Sequence, residues 1–204
     1  FESEKRISIS QIVKWVAAEQ IVAMSTQQTV RQQYDEIEES EALGLDADKA
    51  EQIVDALNTD LANAYVLYHQ LHKHHWNVEG AEFRDIHVFL QEAYENMEAG
   101  ADMIAERAQA IGGVPIAGPA NQEEHATIEF EGEDVHDIRT SLQNDMEAYA
   151  TIIEGMRDHI QLAANLGDPT TEHILKEILV DIEEDAHHIE HYLEDDTLVD
   201  SASN

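Results

Sequence analysis

At 204 residues the chain is longer than a typical single domain of about 150 residues and too short for two, so one domain with an appendage is expected. Its 11 Lys and Arg stand against 44 Asp and Glu, a net charge of -33, which excludes the basic patch of an ordinary nucleic-acid binder. A hydrophobic content of 43% excludes wholesale disorder, and the lack of cysteine excludes disulfides, thiolate chemistry and Cys-ligated zinc or iron-sulfur sites. Neither a long apolar span nor a basic-then-apolar leader stands out, so a soluble cytoplasmic protein with no membrane partner is expected. Carboxylates in such excess are the style of proteins from salt-accumulating halophiles, whose surfaces work where screening lengths shrink to about 3 Å. The twelve histidines need a separate explanation.

In chain order, residues 1–23 balance three bases (Lys5, Arg6, Lys14) against three acids (Glu2, Glu4, Glu19), leaving eight bases and 41 acids to residues 24–204. The first segment opens on Phe1, whereas Met24-Ser25-Thr26 reads as an ordinary start. Residues 1–23 are therefore expected to be an N-terminal extension of read-through or fusion origin, ahead of one domain over 24–204. A native amphipathic helix packing Ile12, Val13, Trp15, Val16 and Ile21 is the other reading.

A first helix is predicted from a cap at Asp46 to about Trp76, with Leu57, Leu61, Ala64, Tyr68 and Leu71 on one face. A second runs from about Arg84 to Gly112, where Gly112-Gly113-Val114-Pro115 stops it. The connection over 113–132 has room for a short helix near 119–126. A third helix is predicted from about Glu133 to Gly167, along Val135, Ile138, Leu142, Met146, Ile153 and Met156, and a fourth from Asp168-Pro169, a cap followed by proline at the first helical position, to about Leu193. Four long helices with short 1–2 and 3–4 links and a long 2–3 crossover define an all-α, ferritin-like four-helix bundle with a short helix in the crossover.

On the second helix His87, Gln91, Glu95, Glu98, Asp102 and Glu106 fall in one stripe about 100° wide, opposite Phe89, Leu90, Ala93, Met97, Ile104, Ala108 and Ile111. On periodicity alone the stripe is the solvated face of an amphipathic helix. Against that reading stand its like charges at i,i+3 and i,i+4, which repel by about 0.2–0.5 kcal/mol per pair unless a cation or salt relieves them. A di-iron site inside one bundle needs inward carboxylates and two Glu-x-x-His motifs. Only Glu184 to His187 is obvious, with no second motif on the first or second helix. If Asp102 and Glu106 hold metal, their histidine partners are expected from another subunit.

The run His75-Trp76-Asn77-Val78-Glu79-Gly80-Ala81-Glu82-Phe83-Arg84-Asp85-Ile86-His87, followed by Asp102 and Ala105-Glu106-Arg107, resembles the signature of the Dps mini-ferritins, the DNA-binding proteins from starved cells. The likeness covers roughly residues 46–194 and is closest to Dps-like ferritins of halophilic archaea, which accounts for the acidity without a special partner. The resemblance implies a dodecameric shell that binds Fe(II), oxidises it with hydrogen peroxide, and stores ferric mineral as a defence against oxidative stress. It implies a ferroxidase centre made by His75 and His87 of one subunit with Asp102 and Glu106 of its two-fold mate. Nitrogen and carboxylate ligands with open positions suit iron that must meet an oxidant better than structural zinc. Both histidines must be neutral to bind, so uptake should weaken in acid.

Further positions carry two readings each. His75 shares a face with core residues, where packing alone would explain it. Glu79 adds a ligand if the first helix extends one more turn. Glu95 and Glu98 either line the cavity and nucleate mineral or are solvated. Asp168 and Glu172 fall where family members place an acidic three-fold pore, although Asp168 also suits an ordinary cap. His187, His188 and His191 include an i,i+4 pair able to hold a transition metal, with a structural role as the other reading. Trp76 is packing, or an interceptor of radicals beside an oxidising centre. His69, His72 and His74 crowd the first helix, but only His75 is nominated. Residues 24–48 hold one base, Arg31, and the segment from Glu194 to Asn204 holds none. Binding to phosphates is driven by Lys and Arg, so the sequence argues against DNA binding. A nonenzymatic DNA-protecting shell would need lysine tails, and a heme-containing bacterioferritin would need paired Glu-x-x-His motifs.

Overall fold

The computed structural model describes residues 29–194; the expected extension over 1–23 and the acidic C-terminal segment from 195 lie outside the described residues. By internal contacts the chain divides into two units, Phe1–Gln33 and Tyr34–Asn204. The described helices all lie in the second: α1 (Ala47–Asn77), α2 (Phe83–Ala110), a short α3 (Pro119–His125), α4 (Ile138–Leu166) and α5 (Pro169–Leu193). There is no strand among the described residues. The all-α, ferritin-like architecture expected from the helical periodicities is the one observed.

Each long helix forms because an apolar stripe at 3.6-residue spacing meets another such stripe. On α1, Ile53, Leu57, Leu61, Leu67 and Leu71 are all essentially inaccessible; Leu90, Ala93, Met97 and Ile104 of α2, Tyr149, Ile152 and Met156 of α4, and Leu175, Ile182 and Ile189 of α5 complete the core. Cross-helix pairs fix the directions. Asp60 of α1 meets His159 of α4, and His74 meets Asp145, so those helices are antiparallel. Asn96 of α2 meets Asp185 of α5, and Arg107 meets Asp168, so that pair is antiparallel too. With α1 packed on α2 and α4 on α5, the four helices close a ring around one core.

The crossover between α2 and α4 is strapped along α1 by buried polar side chains. Asn58 accepts from the Ile116 N–H and donates to the Val114 carbonyl. Asn63 accepts from the Thr127 N–H at 2.7 Å. Farther along, Glu131 takes hydrogen bonds from Lys73 and Asn144 and meets His74 Nε2 at 2.6 Å. Lys73 also donates to the Gly132 carbonyl at 2.7 Å. These bonds satisfy loop backbone that would otherwise be buried without partners.

One boundary and one cap differ from expectation. The helix predicted from Glu133 begins at Ile138. With Glu131 and Gly132 pinned to α1, the chain crosses to α4 before it can coil, and Asp137 caps the helix by accepting from the Thr140 N–H at 3.1 Å. Val135, counted on the apolar face, is 61% exposed. Asp46 does precede α1, but its side chain makes no capping bond and pairs with Lys49 at 3.1 Å instead. The stop after α2 has a steric cause: Gly112 has φ +96°, and a Cβ there would sit 1.9 Å from the Glu38 carbonyl oxygen, whose residue donates its N–H back to Gly112 at 2.9 Å. Glycine alone meets both demands.

Burial alone would raise the pKa of Glu131, but hydrogen bonds from Asn144, Lys73 and His74 outweigh it and pull the carboxyl down to about 2. A depressed carboxyl stabilises the fold above its unfolded pKa and stops doing so as pH falls through the folded one. The thermal midpoint should therefore drop as pH falls from about 4.5 toward 2. Glu131→Gln should start lower at neutral pH and slope less across that window, as measured by circular dichroism melts.

Candidate metal centre

The end of α1 and the start of α2 bring His75 and His87 face to face, ring centroids 3.8 Å apart and planes inclined by 19°. Each Nδ1 lies 2.9 Å from the other residue's backbone carbonyl. Since a carbonyl only accepts, both Nδ1 atoms carry protons, so it is Nε2 of each ring that is available to a metal. This is the outer-sphere arrangement by which proteins orient metal-binding histidines. Both rings are half-buried, bordered by Tyr94 against His75 and Phe83 against His87.

Asp102 and Glu106 sit one turn apart near the other end of α2, both exposed and without a hydrogen bond or ion pair among the described residues. The fifteen residues from His87 to Asp102 span about 22 Å of helix at 1.5 Å per residue. One chain therefore does not bring the four nominated ligands together. Among the described residues no group of three or more His, Asp or Glu is gathered as a metal would require.

The other nominated positions are scattered over the bundle. Glu95 and Glu98 are exposed on the same stripe, Glu95 accepting from Gln91 at 2.8 Å. Glu79 lies beyond the end of α1, past the extended Val78, so the extra turn that would align it with His75 does not form. Asp168 is 5% exposed, and both its oxygens take Arg107 Nη2, at 2.8 and 2.7 Å. It also accepts from the Thr170 and Thr171 N–H groups, so it caps α5. Burial would raise the Asp168 pKa, but Arg107 and Thr171 hold it below the usual carboxylate range. Glu172 is half-buried and paired with Lys176. Trp76 is 68% exposed and lies against His72, whose other side stacks on Tyr94 at 4.0 Å.

Sequence reasoning passed over His74, the one buried histidine on α1. It lies between Asp145 at 2.8 Å and Glu131 at 2.6 Å. Its signal was present but indirect: Gln70 and His74, one turn apart, interrupt the apolar face, and buried polar residues need partners.

A four-helix bundle with one long crossover between its second and third long helices is the architecture of the ferritin-like class. The ferritin-like domain pattern matches residues 54–199. The chain is 64% identical over 176 residues to the "DNA protection during starvation protein" of Halobacterium salinarum, covering 86% of this chain and 97% of that one. It is 37% identical to the "Nutrient stress-induced DNA-binding protein" of a Synechococcus species, covering 78% and 91%. The crystal structure of an archaeal Dps homologue from H. salinarum superposes with TM-score 0.83 at 62% identity, covering 86% of this chain and 98% of that chain. A Vibrio cholerae Dps, described as a member of the ferritin-like diiron-carboxylate superfamily, superposes with TM-score 0.72 at 26% identity, covering 78% and 99%. The chain belongs to the ferritin-like family and, within it, to the Dps proteins. No described helix is long and apolar enough to cross a membrane.

Arg107→Ala leaves the Asp168 carboxylate buried without its counter-charge and should cost about 3 kcal/mol or more. Asp102→Ala, at an exposed position, should stay within about 0.5 kcal/mol. Denaturant unfolding of the metal-free protein measures both.

Proposed function

We propose that the protein is an iron-storing ferroxidase whose oxidation centres form between subunits of a dodecameric shell. His75 and His87 supply the nitrogen ligands, and Asp102 and Glu106 of the partner subunit supply the carboxylates. The observation that carries this reading is geometric. Two histidines have Nε2 atoms with no hydrogen-bond partner among the described residues, two carboxylates lie exposed without partners, and about 22 Å of rigid helix separates the sets, so a second copy is needed to complete either half. Isologous two-fold contact does this reciprocally, making two centres per dimer. Iron is the substrate. Imidazole and carboxylate donors suit Fe(II) and leave positions for an oxidant. Two Fe(II) ions give up one electron each, and the pair of electrons reduces one hydrogen peroxide to two waters with uptake of two protons. The ferric product is then stored as mineral, with exposed Glu95 and Glu98 as the candidate nucleating carboxylates. Glu172 remains the candidate for an acidic pore.

In this reading His75→Ala and Asp102→Ala each nearly abolish peroxide-driven Fe(II) oxidation with assembly intact. The two variants, unfolded and reassembled together, should recover about a quarter of the parent rate, because half the dimers are mixed and each mixed dimer keeps one of two centres. Stopped-flow absorbance of ferric formation measures this. No recovery in verified mixed shells would sink the intersubunit centre.

The relatives' names mention DNA, and the nonenzymatic DNA-protecting shell is the competing reading. Attraction to DNA phosphates requires Lys or Arg, whereas residues 24–204 carry only eight such residues against 41 acids. We infer that this chain does not compact DNA. A gel shift showing tight binding by the assembled protein at low salt would overturn that inference.

A further inference from the structure

The last two turns of α5 hold His187 and His191 on one exposed face, at the i,i+4 spacing that stacks side chains of successive turns. Their Nε2 atoms are 3.1 Å apart, with ring centroids at 4.4 Å and planes inclined by 64°. An ion bonded to both nitrogens at about 2.1 Å would subtend an angle of about 95° at that separation, close to the right angle between neighbouring ligands in a square-planar or octahedral shell.

A second contact prepares the pair for metal. Glu190 Oε2 lies 3.2 Å from His187 Nδ1, so Nδ1 donates to the carboxylate and Nε2 is the ring nitrogen left for an ion. This is the carboxylate–histidine arrangement that orients ligands and raises their basicity. His188, between them in sequence, turns the other way and meets the edge of Phe89 at 5.7 Å. The neighbouring Arg157 guanidinium is already paired with Glu183 at 2.7 Å. None of these residues belongs to the His75–His87 pair, which lies where α1 meets α2.

We propose that His187 and His191 form a bidentate site for a late first-row divalent ion, Cu2+ ahead of Ni2+ and Zn2+ by the usual order of affinities. Water fills the remaining positions, since both side chains are exposed. The site does not depend on the ferroxidase reading.

The test uses the metal-free full-length protein and Cu2+ alone as probe, read by calorimetry and by the nitrogen hyperfine structure of the electron paramagnetic resonance spectrum. The His75→Gln/His87→Gln variant should retain one equivalent of copper per chain with a two-imidazole signature. Adding His187→Gln or His191→Gln should abolish it. In the otherwise unaltered protein the same single substitutions should lower the nitrogen-bound copper by one equivalent. Glu190→Gln should keep the signature and weaken binding about tenfold or more. Nitrogen-bound copper that persists unchanged in His187→Gln/His191→Gln overturns the proposal, as does purely oxygen-bound copper in the His75→Gln/His87→Gln background.

Discussion

His74, held between two carboxylates, is the contact on which the site depends. Burial alone would keep this imidazole neutral, but hydrogen bonds and charge from Asp145 and Glu131 outweigh it and raise the pKa. Asp145 is pinned in turn by Gln70 at 2.9 Å. The contact does three things at once: it docks α1 on α4, anchors the crossover through Glu131, and sets the rotation of the last turn of α1. The third matters most for chemistry. Successive helical residues point about 100° apart, so locking His74 into the bundle aims His75 toward α2. There the reciprocal bonds with His87 set both rings through their Nδ1 atoms.

Much of this was legible in the chain. Helices with strong 3.6-residue stripes, such as α1 and α2, ended within a residue or two of their predicted limits, because Gly112-Gly113 and Asp168-Pro169 act locally. The start of α4 was not legible, because Val135 continued the apolar rhythm while Glu131 and Gly132 were claimed by Lys73 and His74, nearly sixty residues away. The capping of Asp168 was legible beside a pore role, but its pairing with Arg107, a partner from another helix, was not. Asp46 shows the opposite case, a good capping residue whose side chain found Lys49. Local propensity is a weak prior wherever a charged side chain has a tertiary alternative.

Net charge hid a division among the acids. Asp60, Asp145, Asp168 and Asp185 are buried, and each meets an opposite charge or a hydrogen-bond donor on another helix. Burial lifts Asp185 to about 6 despite the bonds from Asn96 and Tyr149, so this side chain gives up its charge in mild acid. Glu95, Glu98, Asp102 and Glu106 are exposed. A composition count adds the two groups together, although the first belongs to the fold and only the second is accessible to ions.

The proposed pairing makes a further demand on the exposed group. If the region of His87 on one α2 meets Asp102 and Glu106 of the partner subunit, the two-fold axis passes α2 near their midpoint, at about residues 95 and 96. The acidic stripe of each subunit then approaches its own copy around Glu95 and Glu98. Like charges brought together in this way oppose association unless cations or salt screen them. The exposed apolar side chains near that face, Trp76, Phe83, Val88 and Met103, supply the opposing attraction, because burying them gains about 25 cal/mol per Å² of apolar surface. In this arrangement the interface that completes the iron centres is held by apolar contact around a strip of repelling carboxylates. Multimolar salt and bound iron both act on that strip in the same direction, toward assembly.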